Sequence, residues 1–389
     1  MRILPDSPNL DFLRREAKEL LGALRENDPT SRLSDAQRQI AEQYGFHTWP
    51  ELGAEVERRR SDPPTSDQAL ATTLAGAFGL GEVIEPMTPI AYAIMGRRWS
   101  LRTEHGHWLA TPVFNWIDED QAERADDLRG RARAAGVMAP TAVRSRDHTL
   151  LFQVEGQRWR VDRWMDLGRE VLQPVRSSVA RAVGRTLATL HSVGPATDHR
   201  LAPGQSGHLT HRHSDDDWDQ LILRTAAAKK PWLDDLINLV RNVLRPLQSI
   251  DFRPESSLII CINDLSVGTV RMGADDQLVL THWDFAGPNH PAWELGYVLV
   301  HWAVHAPTNP GTARALVDGY QDQRVLPTLD LSSFWPAITA NLNWIYNQFC
   351  FGLDAPDEQQ SYAEGEIRSL IAAPLSVRKL ENIIAELRR

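Results

Sequence analysis

Only two cysteines, Cys261 and Cys350, occur in 389 residues, too few for the disulfide framework of a secreted domain. A cationic surplus is missing too. Lys plus Arg number 42 against 51 Asp plus Glu, a formal net charge of −9, and no segment interleaves basic residues with aromatics, which argues against a nucleic-acid partner. The one basic cluster, Arg58-Arg59-Arg60, is short and falls where it ends a helix, a place at which cations complement the backbone dipole. No apolar run approaches the roughly 20 residues of a membrane helix. The longest, residues 295–304, is broken by His301, so no membrane segment is expected. The opening MRILPDSPNL also lacks the apolar stretch of a signal peptide, which makes the cytoplasm the expected compartment.

The length allows two or three domains and a substantial core. Residues 1–60 read as a separate three-helix unit. Leu10, Leu13, Ala17, Leu20, Leu21 and Leu24 form one helical stripe; Ser34 to Gln37 and Thr48 to Glu51 have the capping-box pattern; and Pro50 suits a first turn. The segment that would serve as a recognition helix is not basic, so packing or self-association is expected of this unit rather than DNA binding. Residues 61–67, SDPPTSD, are composed as a linker.

From 68 to 165 the chain alternates β-prone stretches with turn signals. Trp99–Thr103 and His107–Thr111 read as paired strands around Glu104-His105-Gly106, Asp120–Ala125 as a helix, and 150–154 with 159–164 as two further strands. Residues 166–389 are mainly helical, with Val183, Leu187 and Leu190 at helical spacing before His191. His208, His211 and His213 stand near three acids, yet their spacing matches no strong metal site. No metal ligand set is therefore assigned, and Cys261 is read as a small buried hydrophobe.

Residues 258–301 carry the chemistry. The run Ile262-Asn263-Asp264-Leu265-Ser266-Val267-Gly268-Thr269 and the later Leu280-Thr281-His282-Trp283-Asp284-Phe285-Ala286-Gly287-Pro288 resemble the active-site hairpin of the aminoglycoside phosphotransferase-like (choline kinase-like) kinases. Those enzymes carry H-x-D-x-x-x-x-N followed by a stretch such as IDWEFAGP. The helix ending LATLHSVG at 187–194 and GVMAPT at 136–141 resemble that family's segments as well. The resemblance implies an α+β fold, bilobal and protein-kinase-like, with an N-terminal lobe at 68–165 and a mainly helical C-terminal lobe at 166–389, preceded by the helical unit.

It also implies roles, and several are altered. Asp264 matches the carboxylate that accepts the substrate hydroxyl proton. Ile262 stands for the family's His, Thr269 for its metal-ligating Asn, and His282 for its magnesium-binding Asp. Thr111 occupies the place of the lysine that contacts ATP phosphates, and residues 87–93, which should cover those phosphates, contain no glycine. Magnesium demands oxygen ligands. The expectation is therefore a kinase scaffold working without a cofactor, ATP and magnesium being disfavoured, on a small-molecule substrate of secondary metabolism. Asp264 and His282 would share acid–base catalysis, and Thr269 is the one cofactor-facing candidate. Trp283, Asp284, Asn343, Trp344 and Asn347 would line a pocket for an aromatic or apolar substrate. Two other functions stay open: an ATP-dependent O-phosphotransferase, and a binding or regulatory module without chemistry.

Overall fold

The computed structural model describes residues 10–43, 48–61, 68–93, 96–171, 174–198, 213–251, 257–273, 277–304, 310–354 and 357–388. The chain divides into two compact units. The first comprises Met1–Arg176 with Val267–Gly287, and the second comprises Ser177–Ser266 with Pro288–Arg389. The hairpin that begins at Val267, expected with the C-terminal lobe, thus groups with the first unit.

The first unit opens with α1 (Leu10–Asn27), α2 (Leu33–Gln43) and α3 (Trp49–Ser61). Their apolar stripes close on one another: Leu13, Ala17 and Leu20 pack with Ile40, Leu52 and Val56. Thr48 Oγ1 accepts from the Glu51 amide at 3.3 Å, as a cap should. The other expected cap lies elsewhere. α2 begins at Leu33, Ser34 is inside it, and the Asp35 carboxylate takes the Arg32 amide at 2.8 Å, so the acid three residues on fixes the helix start.

Next come α4 (Gln68–Ala77), β1 (Thr88–Ala93), β2 (Gly96–Thr103), β3 (Gly106–Val113), α5 (Glu119–Ala134), β4 (Ala142–Val143), β5 (Leu151–Val154), β6 (Gln157–Arg163) and β7 (Arg169–Glu170). Strands β1–β6 form one antiparallel sheet in the order β1-β2-β3-β6-β4, with β5 also on β6. Alternation sorts its side chains. Trp99, Leu101, Trp108, Ala110, Trp159 and Val161 pack with Leu74, Ala75 and Phe78 of the α4 region. The intervening positions, Arg98, Ser100, Leu109, Thr111, Arg160 and Asp162, are buried on the other face. Leu109 there meets Leu167 and Val279. Val279 belongs to the hairpin β10 (Val270–Met272) and β11 (Leu278–Leu280), which pairs with β7.

The second unit contains α6 (Ser177–Val193), β8 (Ala196–Thr197), α7 (Asp215–Ala227), α8 (Leu233–Leu239, continued by a π-helical turn and Arg245–Gln248) and β9 (Leu258–Cys261). After β12 (Gly287–Asn289) follow α9 (Pro291–Leu299, running into a π-helical turn Val300–Val304), α10 (Pro310–Gln321), α11 (Trp335–Asp354), α12 (Asp357–Ala372) and α13 (Val377–Leu387). Helices α6 and α10 approach closely because glycines line their contact: a Cβ at Gly184 would sit 1.9 Å from the Leu316 carbonyl oxygen, and one at Gly319 2.0 Å from that of Arg181. No described helix is long and apolar enough to cross a membrane.

Candidate active site

In the second unit, β9 ends in a loop that holds Asp264. The preceding residue, Asn263, has φ of 61°, a left-handed conformation that Asn adopts more readily than most residues and that its surroundings hold in place. The Asn263 amide donates to Glu294 Oε1 at 2.5 Å, and its side-chain oxygen accepts from Asn289 Nδ2 at 2.7 Å. Glu294, in the first turn of α9, is fully buried. Its other oxygen accepts from His191 Nε2 at 2.8 Å, and His191 Nδ1 lies 2.8 Å from the Tyr320 hydroxyl. With Nε2 donating to the carboxylate, Nδ1 accepts from the phenol, which burial pushes up to about 12 and so keeps protonated. The close α6–α10 packing is what brings His191 and Tyr320 together.

The three side chains His191, Cys261 and Glu294 approach one another within 4.8 Å, a spacing that would suit a metal. The hydrogen bonds decide otherwise: both imidazole nitrogens and both carboxylate oxygens are engaged, and burial pushes the Cys261 thiol well above its usual value. The cluster is the loop's anchor.

Asp264 itself is buried, at 5 % exposure. Tyr297, one turn into α9, donates its hydroxyl to Asp264 Oδ1 at 3.4 Å. Burial and the Asp264 charge raise that phenol well above its ordinary range. His301, four residues on and inside the π-helical turn, lies with its ring centroid 4.3 Å from that of Tyr297. Loss of hydration pushes His301 down to about 4 against the pull of Asp264, so its imidazole is neutral near pH 7. Trp302 Nε1 donates to the Leu265 carbonyl at 2.7 Å and fixes the loop's far side. Among the described residues of this unit, Asp264 is thus a buried carboxylate with a phenol and a neutral imidazole close by. That is a suitable environment for a base that takes a hydroxyl proton.

The first unit places the remaining candidates. Thr269 is buried, and its carbonyl accepts from the Thr281 amide at 3.0 Å and hydroxyl at 2.9 Å. Trp283 is fully buried and donates to the Leu280 carbonyl at 3.0 Å, a packing role. Gln121 of α5 pins the segment after β11 by donating to the carbonyls of Asp284 (3.1 Å) and Ala286 (2.7 Å). His282 Nε2 stands 3.4 Å from Asp284 Oδ2, so within this unit its acidic neighbour is Asp284. Asp264 belongs to the other unit.

Asp284 ends a chain of buried charges. Its Oδ1 is bonded by Arg160 Nη1; Arg160 Nε reaches Asp162 Oδ2 at 3.2 Å; and Asp162 Oδ1 meets Arg129 Nη1 of α5 at 2.8 Å. Burial alone would raise the Asp284 carboxyl, but the Arg160 guanidinium, helped by His282, outweighs it and holds the group well below the usual carboxylate range. The same contest, with Arg160 and Arg129 prevailing, lowers Asp162.

The other sequence candidates are dispersed over α11 of the second unit. Asn343 is buried, whereas Trp344 is 52 % exposed and Asn347 is exposed as well. His208 and His211 lie outside the described residues; His213 stacks on Tyr346 with centroids 3.8 Å apart. Sequence reasoning missed Tyr297, His301, Glu294 and the arginines. For Tyr297 and His301 the available signal was their i, i+4 spacing after Pro291. For the arginines it was the polar alternation Arg158, Arg160, Asp162 on a central strand.

A profile of the phosphotransferase enzyme family matches residues 91–331. No match was found among curated proteins. Similar solved structures include a spectinomycin phosphotransferase in complex with ADP and spectinomycin (TM-score 0.53, 12% identity, covering 84% of this chain and 100% of that one). An amicoumacin kinase in complex with AMP-PNP, Ca2+ and Ami has a TM-score of 0.54 at 13% identity, covering 80% of this chain and 95% of that one. An aminoglycoside phosphotransferase from Alicyclobacillus acidocaldarius has a TM-score of 0.50 at 16% identity, covering 85% of this chain and 97% of that one. These likenesses are of fold.

They correct one expectation from the sequence. A scaffold with no cofactor does not agree with a phosphotransferase profile or with relatives of the same fold solved with ADP, and with AMP-PNP and Ca2+. The expectation rested on changed motif residues alone, and such changes do not by themselves remove the nucleotide from a fold that uses one.

Proposed function

Because the chain belongs to the phosphotransferase enzyme family, whose profile spans well over half of it, we propose that it transfers the γ-phosphoryl group of ATP to a hydroxyl of a small molecule, with Asp264 as general base. The observation that carries this reading is the Asp264 loop. A buried carboxylate is held next to Tyr297 by a network that enforces the left-handed Asn263, and such strain concentrates at functional sites. The balance is simple: the acceptor O–H bond breaks, its proton goes to Asp264, the acceptor oxygen gains the phosphoryl group, and ADP leaves. Phosphoryl transfer asks the protein mainly for positioning and for stabilisation of charge.

Whether the residues suit the nucleotide and its metal can be judged from the first unit. Phosphates call for cations, and the buried guanidinium of Arg98 is available there. The divalent ion fits less well. His282 presents nitrogen, and the two oxygens of Asp284 face Arg160 and His282. The chemistry assigned to the chain's own residues therefore rests on Asp264 and on phosphate contacts. The exposed Trp344 and Asn347 offer an aromatic face with an amide for an acceptor of natural-product type.

The engagement of Asp284 favours a second reading, a module that binds nucleotide without transferring phosphate. Asp264→Asn separates the two. Under the first, the variant binds ATP as the parent does and loses about 10²- to 10⁴-fold in transfer rate. A parent protein that binds ATP yet labels no acceptor from a broad panel of alcohols supports the second.

A further inference from the structure

The four lysines of the chain are Lys18, Lys229, Lys230 and Lys379, so the first unit has none except in α1. The cation expected on β3 is absent, Thr111 standing in its place. Strand register shows what flanks that position. Thr111 pairs with Arg160 on β6. On β2, Arg98 lies one step beyond the Trp99–Ala110 pair, which puts it alongside Thr111. Arg98, Thr111 and Arg160 therefore form one row across three strands on the sheet's polar face, and all three are buried.

The two arginines of the row differ in their partners. Arg160 is bonded to Asp162 and Asp284, and Arg129, reaching the same face from α5, to Asp162 and Asp126. Arg98 has no carboxylate bonded to it among the described residues. Its one hydrogen bond there runs from Nη2 to the Thr281 carbonyl at 2.8 Å. Burial and the charges of Arg160 and Arg271 lower Arg98 to about 10, which leaves it cationic near neutrality. The three carboxylates on this face, Asp126, Asp162 and Asp284, are thus all bonded to Arg129 or Arg160. Arg98 is the guanidinium of the three that none of them bonds, and a guanidinium is well shaped to bind phosphate oxygens.

We propose that Arg98, from β2, is the phosphate-binding cation of this chain, taking over from the neighbouring strand the task for which β3 offers only Thr111. The assignment rests on the ATP-dependent reading above and adds to it a residue that no motif indicates. Arg160 is excluded from the task by its two carboxylates, and Thr281, which holds the Arg98 guanidinium, fixes the direction in which that side chain extends.

The test uses the full chain and equilibrium titration with ATP, ADP and adenosine, read by calorimetry. Arg98→Met should weaken ATP and ADP by about 10- to 100-fold and leave adenosine within about 3-fold, because adenosine has no phosphate. In the double variant Arg98→Met/Thr111→Lys, a cation returned to the adjacent position of the row should recover most of the ATP affinity. A folded Arg98→Met protein that binds ATP as the parent does overturns the assignment and leaves the ATP-dependent reading intact. A parent protein that binds no ATP overturns both. If Arg98→Met does not fold, Arg98→Gln is read in the same way: it keeps an N–H donor for the Thr281 carbonyl but loses the charge, and a loss for ATP with none for adenosine supports the assignment, while equal affinity for ATP overturns it.

Discussion

The loop around Asp264, in the second unit, and the segment 282–284, in the first, are stabilised by opposite means. The Asp264 loop is held by hydrogen bonds into a largely neutral surround: backbone amide to Glu294, imidazole to phenol, amide to amide. The 282–284 segment is held by a run of full charges, Arg129, Asp162, Arg160 and Asp284. The hydrogen bonds that anchor the first loop run mainly to residues around Asp264. Ion pairs at Asp284 engage the carboxylate itself. The first region is thus anchored around its acid, whereas the second ties its acid into the internal structure.

The largest effect should follow from breaking the charged run. Asp284→Ala leaves Arg160 with an unbalanced charge in the interior and is expected to cost about 3–5 kcal/mol, measured by denaturant unfolding at pH 7. The pH dependence sharpens this. The folded Asp284 and Asp162 carboxyls lie below their unfolded values, so they contribute stability above roughly pH 4 and lose it as pH falls from there through the folded values. Unfolding curves taken between pH 5 and pH 2.5 should show that slope, and it should be reduced in Asp284→Asn.

Glu294→Gln probes the other region and should cost less, about 1–3 kcal/mol, since the amide still accepts from Asn263 while the bond with His191 weakens. Its effect on transfer rate should exceed its effect on ATP affinity, because Glu294 orients the loop and does not touch the nucleotide.

These two regions also differed in how far the sequence revealed them. The place of Asp264 in a loop after a strand was legible because the pattern is contiguous: strand, acid and the downstream Trp-Glu-Leu occur in one stretch. The paired strands around Gly106 and the helix that carries His191 were legible from alternation and helical spacing. The row of Arg98, Thr111 and Arg160 was not, since its members come from three strands and only register makes them neighbours. His282 was read as the partner of Asp264 because the two flank one hairpin in sequence; what the sequence did not reveal is the contact of its ring with Asp284 inside the first unit. The start of α2 was misplaced for a similar reason. Ser34 and Asp35 both fit a capping pattern, and only the hydrogen bond to Arg32 shows which one acts.

A smaller effect is expected at His301. Its folded value, about 4, lies below the ordinary one for histidine, so the fold favours the neutral ring. Stability should decline as pH falls from about 6.5, where the unfolded chain begins to take up the proton, towards 4. His301→Gln should flatten that decline in thermal melts. The smallest belongs to Trp344. At 52 % exposure its replacement by Ala should change stability by less than about 0.5 kcal/mol, while raising KM for the acceptor if its indole face contacts that molecule.

Phosphorus NMR of the full chain with ATP, magnesium and a panel of hydroxyl-bearing small molecules tests the account most directly. It predicts loss of the γ-phosphorus signal, appearance of ADP, and a new phosphomonoester resonance that depends on the acceptor. ATP that stays intact with every acceptor, or that yields only inorganic phosphate, would contradict it.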